Sequence, residues 1–266
     1  MPTINRVNDR AEIRRRLNVD RVWSLYALAD LDPHLFEQCD WWINGEGLAL
    51  VFKGISIRPI FVSGPATEVR ELLEALPVDQ GYLNLRDEHL PDALTIFTYE
   101  EPHRMHRMIV DSFRPCQHST TAIALGPEHL EEIQQLYSTG DGAGVAFGAF
   151  QLETGFFRGV RHNADLVAVA GVHVVSTAEG VAGVGNVFTR EDCRGKGLAQ
   201  LTLSAVVTAL IAARIETIGL NVEQHNLAAI AAYQRLGFRS AFEYWEGPAR
   251  RSAQAGPANF KPAVLA

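Results

Sequence analysis

The amino-acid sequence predicts a mixed α/β fold in two domains. Short apolar runs alternate with segments whose apolar residues recur at helical spacing, which is typical of strands and helices that share a core. The pattern breaks at residues 114–118 (Arg-Pro-Cys-Gln-His), and a stretch rich in Ala, Pro and Gly closes the chain. We therefore predict an N-terminal α/β domain over residues 1–115, a second domain over 116–247 and a C-terminal tail over 248–266.

The first domain is predicted to begin with helices and to continue mainly as strands. Residues 9–17 and 20–29 have helical spacing, and each segment opens with an aspartate that can accept hydrogen bonds from the first backbone N–H groups. Pro65 suits the first turn of a further helix that runs to residue 76. The other apolar runs are bounded by turn residues and predict strands over residues 41–43, 48–52, 55–62, 82–85, 94–99 and 105–110.

The second domain is predicted as antiparallel strands followed by a strand–helix–strand–helix unit. Helices are expected over residues 127–137, 198–214 and 227–236. Strands are expected over residues 121–125, 156–161, 166–176, 181–189, 217–222 and 238–245. This order of elements indicates a mixed sheet with helices packed against it.

The composition excludes several classes of protein. The 266 residues include 24 Lys and Arg against 31 Asp and Glu, a net charge of −7, whereas a nucleic-acid binder needs a basic face. The three cysteines match neither a disulfide framework nor a zinc-site spacing, and we expect no bound metal. The sequence shows neither a signal peptide nor an apolar run long enough for a membrane span. We expect a cytoplasmic protein without a nucleic-acid or membrane partner.

A turn rich in glycine and basic residues precedes the long helix predicted from residue 198. It consists of Arg194, Gly195, Lys196 and Gly197. The start of a helix exposes backbone N–H groups and carries a partial positive charge, so it attracts phosphate. Glycine lets the backbone approach a pyrophosphate closely, and the two basic side chains add positive charge. The pattern favours phosphate binding over a plain strand–helix turn, for which one glycine suffices.

A second pattern lies on the helix predicted over residues 227–236. Asn226 is a favourable N-cap, and Gly237 followed by Phe238 is typical of a helix end. Asn226 and Tyr233 are separated by close to two helical turns and therefore project from one face. The alanines between them would let a ligand approach the helix. The alternative is a capped amphipathic helix in which Tyr233 only packs against the core, and the helix taken alone favours that alternative.

Taken together, the two patterns resemble the GNAT superfamily of acyl-CoA-dependent N-acyltransferases. The first GNAT motif, Gln/Arg-x-x-Gly-x-Gly/Ala, is matched by Arg194, Gly197 and Ala199. The second motif is an Asn followed after seven residues by a Tyr and then by Leu-Gly-Phe, and it is matched from Asn226 to Phe238. One helix and one strand are predicted between the motifs, as the GNAT fold requires.

The resemblance covers about residues 121–245. Within it, Gly-Val-Arg at 159–161 and Ala-Gly-Val-His at 170–173 are similar to the glycine N-acyltransferase-like branch. The order of strands and helices in residues 1–115 parallels that of the second domain, so we expect a degenerate copy of the same fold there. Its turn lacks the first motif, and we expect it to bind no cofactor and to lie on the acceptor side.

The resemblance implies a role for each matched residue. The backbone of Val187, Phe188 and Thr189 would pair with the pantetheine arm of acetyl-CoA. Asn226 would hydrogen-bond the pantetheine, and a backbone N–H near Phe188 would polarise the thioester carbonyl. Tyr233 would be the general acid at the sulfur, because a phenol with a pKa of about 10 keeps its proton at neutral pH. The pyrophosphate would be held by Arg194, Gly195, Lys196, Gly197, Leu198 and Ala199.

The general base is unassigned at this stage. In several GNAT enzymes a Glu five residues before the motif Asn takes the proton, and here that position is Asn221, which cannot take one. Glu223 lies two residues along the same predicted strand and points to the same face. His173 and a chain of water molecules are further candidates. The simpler interpretation of Glu223 is a solvent-facing carboxylate at a strand end.

We predict an N-acyltransferase, most simply an acetyltransferase, that moves an acyl group from acyl-CoA to the primary amine of a small molecule or amino acid by direct attack. Acetyl-CoA is the expected co-substrate, and the protein is expected to be a monomer or a homodimer. Two alternatives stay open: a non-catalytic acyl-CoA-binding or sensing protein, and a protein or peptide N-acetyltransferase. Residues 140–150 contain four glycines and two phenylalanines and are expected to influence acceptor choice together with the first domain.

Overall fold

The computed structural model describes residues 4–117, 119–140, 144 and 146–253. The chain divides into two compact units, Met1–Arg107 with Phe242–Ala266, and Met108–Ala241. Both units combine a sheet with helices, so the predicted mixed α/β class is confirmed.

Helices and strands alternate along the first part of the chain. The helices are α1 (Arg10–Leu17), α2 (Leu25–Ala29), α3 (Pro33–Phe36), α4 (Ala66–Ala75) and α5 (Leu90–Ile96), with a 3-10 turn at Asn18–Asp20. The strands are β1 (Asn5–Arg6), β2 (Cys39–Asn44), β3 (Gly47–Phe52), β4 (Pro59–Ser63), β5 (Gln80–Leu85), β6 (Phe97–Tyr99) and β7 (His103–Val110).

The rest of the described chain carries the longer elements. The helices are α6 (Leu130–Tyr137), α7 (Leu198–Ala212) and α8 (Leu227–Arg235), with 3-10 turns at Ser119–Thr121, Pro127–His129, Ala149–Thr154 and Glu191–Cys193. The strands are β8 (Ile123–Leu125), β9 (Phe157–His162), β10 (Asp165–Ser176), β11 (Val181–Thr189), β12 (Thr217–Glu223) and β13 (Phe238–Arg251).

The sheet of the first unit follows the order β1-β2-β3-β4-β5-β13, and β6 also pairs with β13. Its strands are antiparallel to their neighbours except for β4 and β5, which are parallel. Helix α1 begins as predicted, because the side chain of Asp9 accepts hydrogen bonds from the backbone N–H groups of Ala11 and Glu12.

Two predicted elements of the first unit are wrong. Residues 94–99 were expected to be a strand, but α5 occupies Leu90–Ile96 and only Phe97–Tyr99 is extended. Pro91 fits the first turn of this helix, and Ala93 and Ile96 are buried on one face, three residues apart. The helix expected over residues 20–29 forms only at Leu25–Ala29, after the 3-10 turn.

The course of β13 explains where the two units divide. Residues Trp245–Arg250 pair antiparallel with Gln80–Leu85, so the end of the chain returns to the first unit. We predicted boundaries after residues 115 and 247, whereas the units divide after Arg107 and before Phe242. Residues 248–251 are therefore strand and not tail, and the predicted tail from residue 254 onward lies outside the described residues.

The second unit is organised around α7. Its sheet follows the order β7-β12-β11-β10-β9-β8, in which β11 and β12 are parallel and β8 to β11 are antiparallel to one another. The side chains of Leu203, Val206, Val207 and Leu210 are fully buried in the core beneath this sheet. Burial of four aliphatic side chains stabilises the unit by about 6–12 kcal/mol before entropy is considered. These side chains anchor α7 in the core of the second unit.

Helix α7 is apolar but short. Across the described ranges, no helix combines the length and the apolar character that crossing a membrane requires.

Gly237 ends α8 in a conformation that only glycine fits. Its φ is 90°, and its carbonyl oxygen accepts the N–H groups of Asp111 and Ser112 at 3.1 and 3.4 Å. A Cβ at this position would lie 1.9 Å from the carbonyl oxygen of Ser112. The glycine thus joins the end of the second motif to the segment that follows β7.

We expect Gly237→Ala to lower the free energy of unfolding by about 3 kcal/mol, because left-handed backbone strain adds to a backbone clash. Gly155→Ala is the matched control: φ is 75° there, and a Cβ would meet no heavy atom within 4 Å. The control should lose only about 1 kcal/mol from the left-handed strain. Urea unfolding followed by circular dichroism measures both, and equal losses would contradict the close approach to Ser112.

Candidate functional site

The parallel strands β11 and β12 separate within the second unit. They pair from Val181 with Thr217 to Val184 with Leu220, and among the described residues their pairing ends there. Beyond that point β11 continues to Thr189, and its residues change from buried to half-buried. Beyond these pairs, the facing edges of the two strands, as far as they are described, are no longer joined to each other by ladder pairs. We refer to the space between these two strand ends as the gap.

A β-bulge on β11 lies where the strands separate. Asn186 and Val187 stand opposite the single residue Ala170 of β10. The φ of Asn186 is 54°, in the left-handed region that asparagine tolerates better than most residues. An extra residue bends a strand and increases its twist. The bulge thus turns the end of β11 away from β12 and opens the gap.

His173 packs against the bulge. Its Nε2 atom lies 3.3 Å from the backbone nitrogen of Asn186, and since a backbone N–H only donates, Nε2 is the unprotonated nitrogen. A Cβ on Gly185 would lie 2.2 Å from this Nε2, so glycine makes room for the imidazole. Burial lowers the pKa of His173 to about 4. His173 is therefore neutral at pH 7 and a weak proton acceptor.

The turn between β11 and α7 leaves backbone accessible. Gly195 and Gly197 have φ angles of 74° and 77°, which favour glycine. A Cβ at Gly195 would meet no heavy atom within 4 Å, and at Gly197 the nearest is Oε1 of Gln200 at 4.0 Å. Gly197 caps α7 without a side-chain hydrogen bond, and the first turn holds no acidic residue. The first N–H groups of α7 are thus left for an external acceptor such as a phosphate.

Basic side chains and a buried hydroxyl border this turn. Arg194 and Lys196 are exposed, and Nε of Arg194 donates to the carbonyl oxygen of Thr189 at 3.2 Å. The Oγ1 atom of Thr189 is buried and has no hydrogen-bond partner within the described part of the chain. Because a buried hydroxyl without a partner is destabilising, this atom fits a ligand that supplies one. The turn and the end of β11 thus place two glycines, two basic side chains and a buried hydroxyl beside one another.

Helix α8 brings the second motif to the first. Nε2 of Gln200, in the first turn of α7, donates to the carbonyl oxygen of Ala232 at 3.4 Å. Asn226 is exposed, and its side-chain oxygen accepts the N–H of Ala229 at 3.1 Å as the N-cap. Its oxygen is therefore used within the helix, and its amide nitrogen is the atom that can donate to a ligand.

Tyr233 lies on the inner side of α8. It packs against the core of the second unit, with its ring 6.0 Å from that of Phe238. Burial raises the pKa of Tyr233 to about 12. A raised pKa keeps the phenol protonated at every lower pH, which is the state that a general acid needs.

The residues considered as general base lie at different places. Asn221 and Glu223 are half-buried on β12 beyond its last pairing with β11, and the backbone oxygen of Glu223 accepts the N–H of Asn226 at 3.0 Å. Glu223 therefore stands at the gap, where the strand meets α8. His173 is disfavoured by its lowered pKa and its occupied Nε2. Within the ranges described, no group of three or more His, Cys, Asp or Glu side chains is placed to hold a metal.

The corresponding turn of the first unit is closed. Among the described residues its parallel strands β4 and β5 pair at three positions, and Nε1 of Trp23 donates to the carbonyl oxygen of Val62 at 2.9 Å. A Cβ on Gly64 would lie 2.7 Å from the Cα of Gly47. The first turn of α4 also holds the carboxylate of Glu68, which would repel an anion. The two halves share an arrangement of strands but not an accessible turn.

The segment that carries both motifs is similar to a known protein family. Residues 113–238 match the model of the Acetyltransferase (GNAT) family, over a span that includes both motifs and the gap. These residues are therefore similar in sequence to the GNAT acetyltransferase family. We refer to this part of the chain as the GNAT domain. No curated protein matches the chain.

Solved structures share the fold over most of the chain. A GNAT-family protein from Novosphingobium aromaticivorans is 22% identical, with 77% of this chain and 89% of that one covered and a TM-score of 0.59. A Drosophila protein is 13% identical, with 93% and 99% covered and a TM-score of 0.67. A tandem GNAT protein from the clavulanic acid biosynthesis pathway is 14% identical, with 97% and 100% covered and a TM-score of 0.58. The predicted GNAT fold is confirmed, and the tandem GNAT structure fits a two-part architecture.

Sequence reasoning missed three polar residues beside the gap: Asn186, Gln151 and Tyr137. For Asn186 a signal existed, since Gly185 inside a predicted strand is typical of a bulge. Gln151 and Tyr137 come from other segments, and their contacts with Asn186 have no local signature.

We expect Gly197→Glu to weaken acetyl-CoA binding by about 30- to 1,000-fold, since a carboxylate would occupy the space for phosphate and repel it. Gly180→Glu is the control, because it has a φ of 63° and precedes the start of β11, at the end opposite the turn. Calorimetric titration of both folded variants measures the effect. Unchanged affinity in Gly197→Glu would remove this turn from the binding site.

Proposed function

We propose that the GNAT domain is an N-acetyltransferase that moves the acetyl group of acetyl-CoA to the primary amine of a small molecule or amino acid. The observation that carries the proposal is the gap between β11 and β12, which adjoins the accessible glycine turn at the start of α7. The family match supports acetyl transfer. The family match does not specify the acceptor, and a small primary amine is our own addition to the proposal.

Each group beside the gap then has a role in binding acetyl-CoA. Acetyl-CoA supplies an activated acyl group as a thioester. The backbone from Arg194 to Ala199 binds the pyrophosphate, with the charges of Arg194 and Lys196 beside it. The backbone of Val187, Phe188 and Thr189 pairs with the amides of the pantetheine arm, and the buried hydroxyl of Thr189 gains a partner. Asn226 donates to the same arm.

The chemistry at the thioester needs an acid, a charge-stabilising N–H and a base. The backbone N–H near Phe188 stabilises the negative charge that develops on the carbonyl oxygen while the amine nitrogen bonds to the acetyl carbon. Tyr233 donates its phenolic proton to the sulfur as the carbon–sulfur bond breaks. The attacking amine loses a proton, for which Glu223 or a water chain is our candidate acceptor. The products are an N-acetyl amine and the free thiol.

We further propose that the domain belongs to the glycine N-acyltransferase-like branch. The support is the pair of sequences at residues 159–161 and 170–173. Within the second unit, residues 140–150 are our candidate segment for selecting a small acceptor. Residues 141–143 and 145 of that segment lie outside the described residues.

Release of free thiol from acetyl-CoA in the presence of a panel of amines and amino acids tests the proposed function. We expect release that depends on the amine and an acetylated amine detected by mass spectrometry. Tight acetyl-CoA binding without any amine-dependent release would indicate a sensing protein instead. Acetylation of peptide N-termini in preference to small amines would indicate a protein acetyltransferase.

We expect Tyr233→Phe to lower kcat by about 10²- to 10⁴-fold, because the ring stays in place while the acid is lost. Acetyl-CoA affinity, measured by calorimetry, should remain that of the wild type. The wild-type rate should show no alkaline loss attributable to Tyr233 through the neutral and mildly alkaline range, since its pKa is about 12. A folded variant that turns over at full rate would reduce Tyr233 to a packing residue.

A further inference from the structure

Gln151 is a buried side chain whose hydrogen-bonding capacity is used completely. Its side chain lies in the 3-10 turn before β9, and only 4% of the residue is exposed. Oε1 accepts the N–H of Gly148 at 3.2 Å and Nδ2 of Asn186 at 2.9 Å. Nε2 donates to the carbonyl oxygens of Ala146 and His173, each at 3.1 Å. One amide therefore connects residues 146–148, strand β10 and the bulge of β11.

Asn186 is held in its left-handed conformation by these contacts. Besides Gln151, its Nδ2 donates to the carbonyl oxygen of Val172 at 3.3 Å. Its carbonyl oxygen accepts the hydroxyl of Tyr137 at 2.9 Å, and its N–H donates to His173. A left-handed conformation costs a residue with a Cβ about 1–2 kcal/mol, so it persists only where neighbouring groups impose it. The bulge thus depends on side chains from three other elements.

Aromatic rings also connect the segment before β9 with the end of β11. The ring of Tyr137 lies 5.3 Å from that of Phe147 and 5.8 Å from that of Phe188. Phe147 belongs to the segment that Gln151 binds, and Phe188 follows the bulge on β11. Both the polar and the apolar contacts therefore connect the segment before β9 with the strand end that faces the gap.

We propose that Gln151 is a positioning residue for the acyl group. By holding Asn186, it sets the direction of the backbone N–H near Phe188 that binds the thioester carbonyl. Gln151 touches neither substrate and acts through the bulge. The inference rests on the proposed function, because it assumes that acetyl-CoA lies in the gap. It adds a polar link between residues 146–148 and the acyl-binding strand.

The affinity of the full-length protein for acetyl-CoA relative to CoA tests this role, because only acetyl-CoA carries the carbonyl. In Gln151→Leu we expect acetyl-CoA affinity to fall about 3- to 10-fold, the loss of one hydrogen bond, while CoA affinity stays unchanged. The pyrophosphate turn, which contributes equally to both ligands, is untouched. Gln135→Leu makes the same chemical change on an exposed part of α6 and should leave both affinities unchanged.

Gln151→Glu distinguishes hydrogen bonding from packing, because it keeps the shape and the acceptor oxygen. Its second oxygen would face the carbonyl oxygens of Ala146 and His173 and repel them while ionised. Burial raises the pKa of such a carboxyl, and its protonated form can donate again. In Gln151→Glu, the ratio of acetyl-CoA affinity to CoA affinity should therefore return toward the wild-type ratio as the pH falls from about 8 to about 5.5.

The outcomes separate the inference from the proposed function. If wild-type protein binds neither CoA nor acetyl-CoA, the proposed function fails, and the role of Gln151 fails with it. If the wild type binds both and the folded Gln151 variants keep its ratio of affinities, only the positioning role is overturned. Equal weakening of both ligands, or no recovery of Gln151→Glu at low pH, also overturns it. If Gln151→Leu does not fold, the isosteric Gln151→Glu variant decides.

Discussion

The separation of two parallel strands is the constraint on which the rest of the site depends. A parallel pair normally satisfies its backbone groups continuously, and β11 and β12 stop doing so after Val184 and Leu220. Beyond these residues the two edges no longer pair with each other, and within the described ranges the buried hydroxyl of Thr189 at the same place has no hydrogen-bond partner. The candidate site is therefore the place where the two strand ends diverge, beside the glycine turn at the start of α7.

A local distortion maintains this separation. The bulge at Asn186 turns β11 outward, and polar groups from β10, α6 and the turn before β9 hold the bulge in a conformation that an isolated strand would not adopt. Every hydrogen-bonding atom of the Gln151 amide is used in this network, so burial of the amide carries no penalty for unmet hydrogen bonds. The strained backbone of Asn186 is thus stabilised by a neighbouring amide, that of Gln151, whose own hydrogen bonds are complete.

The two units have a similar arrangement of strands but differ in the turn that follows the parallel pair. Each has a parallel pair that separates before a helix begins. In the second unit the turn contains two glycines with space around them, and the first turn of α7 has no acid. In the first unit the indole N–H of Trp23 donates to the carbonyl oxygen of Val62, and Glu68 lies in the first turn of α4. The difference lies in a few side chains and not in the backbone topology.

The sequence by itself determined most helices and strands and the two motifs of the GNAT domain. Caps such as Asp9 and Asn226, glycines that adopt positive φ, and alternation of apolar residues act over a few neighbouring residues and can be recognised there. The tertiary structure alone decided that the chain returns to the first unit at Phe242, and it decided the bulge contacts of Asn186. Both depend on pairings between distant segments, such as Trp245 with Leu85, which carry no local signal because their energy arises only when the strands meet.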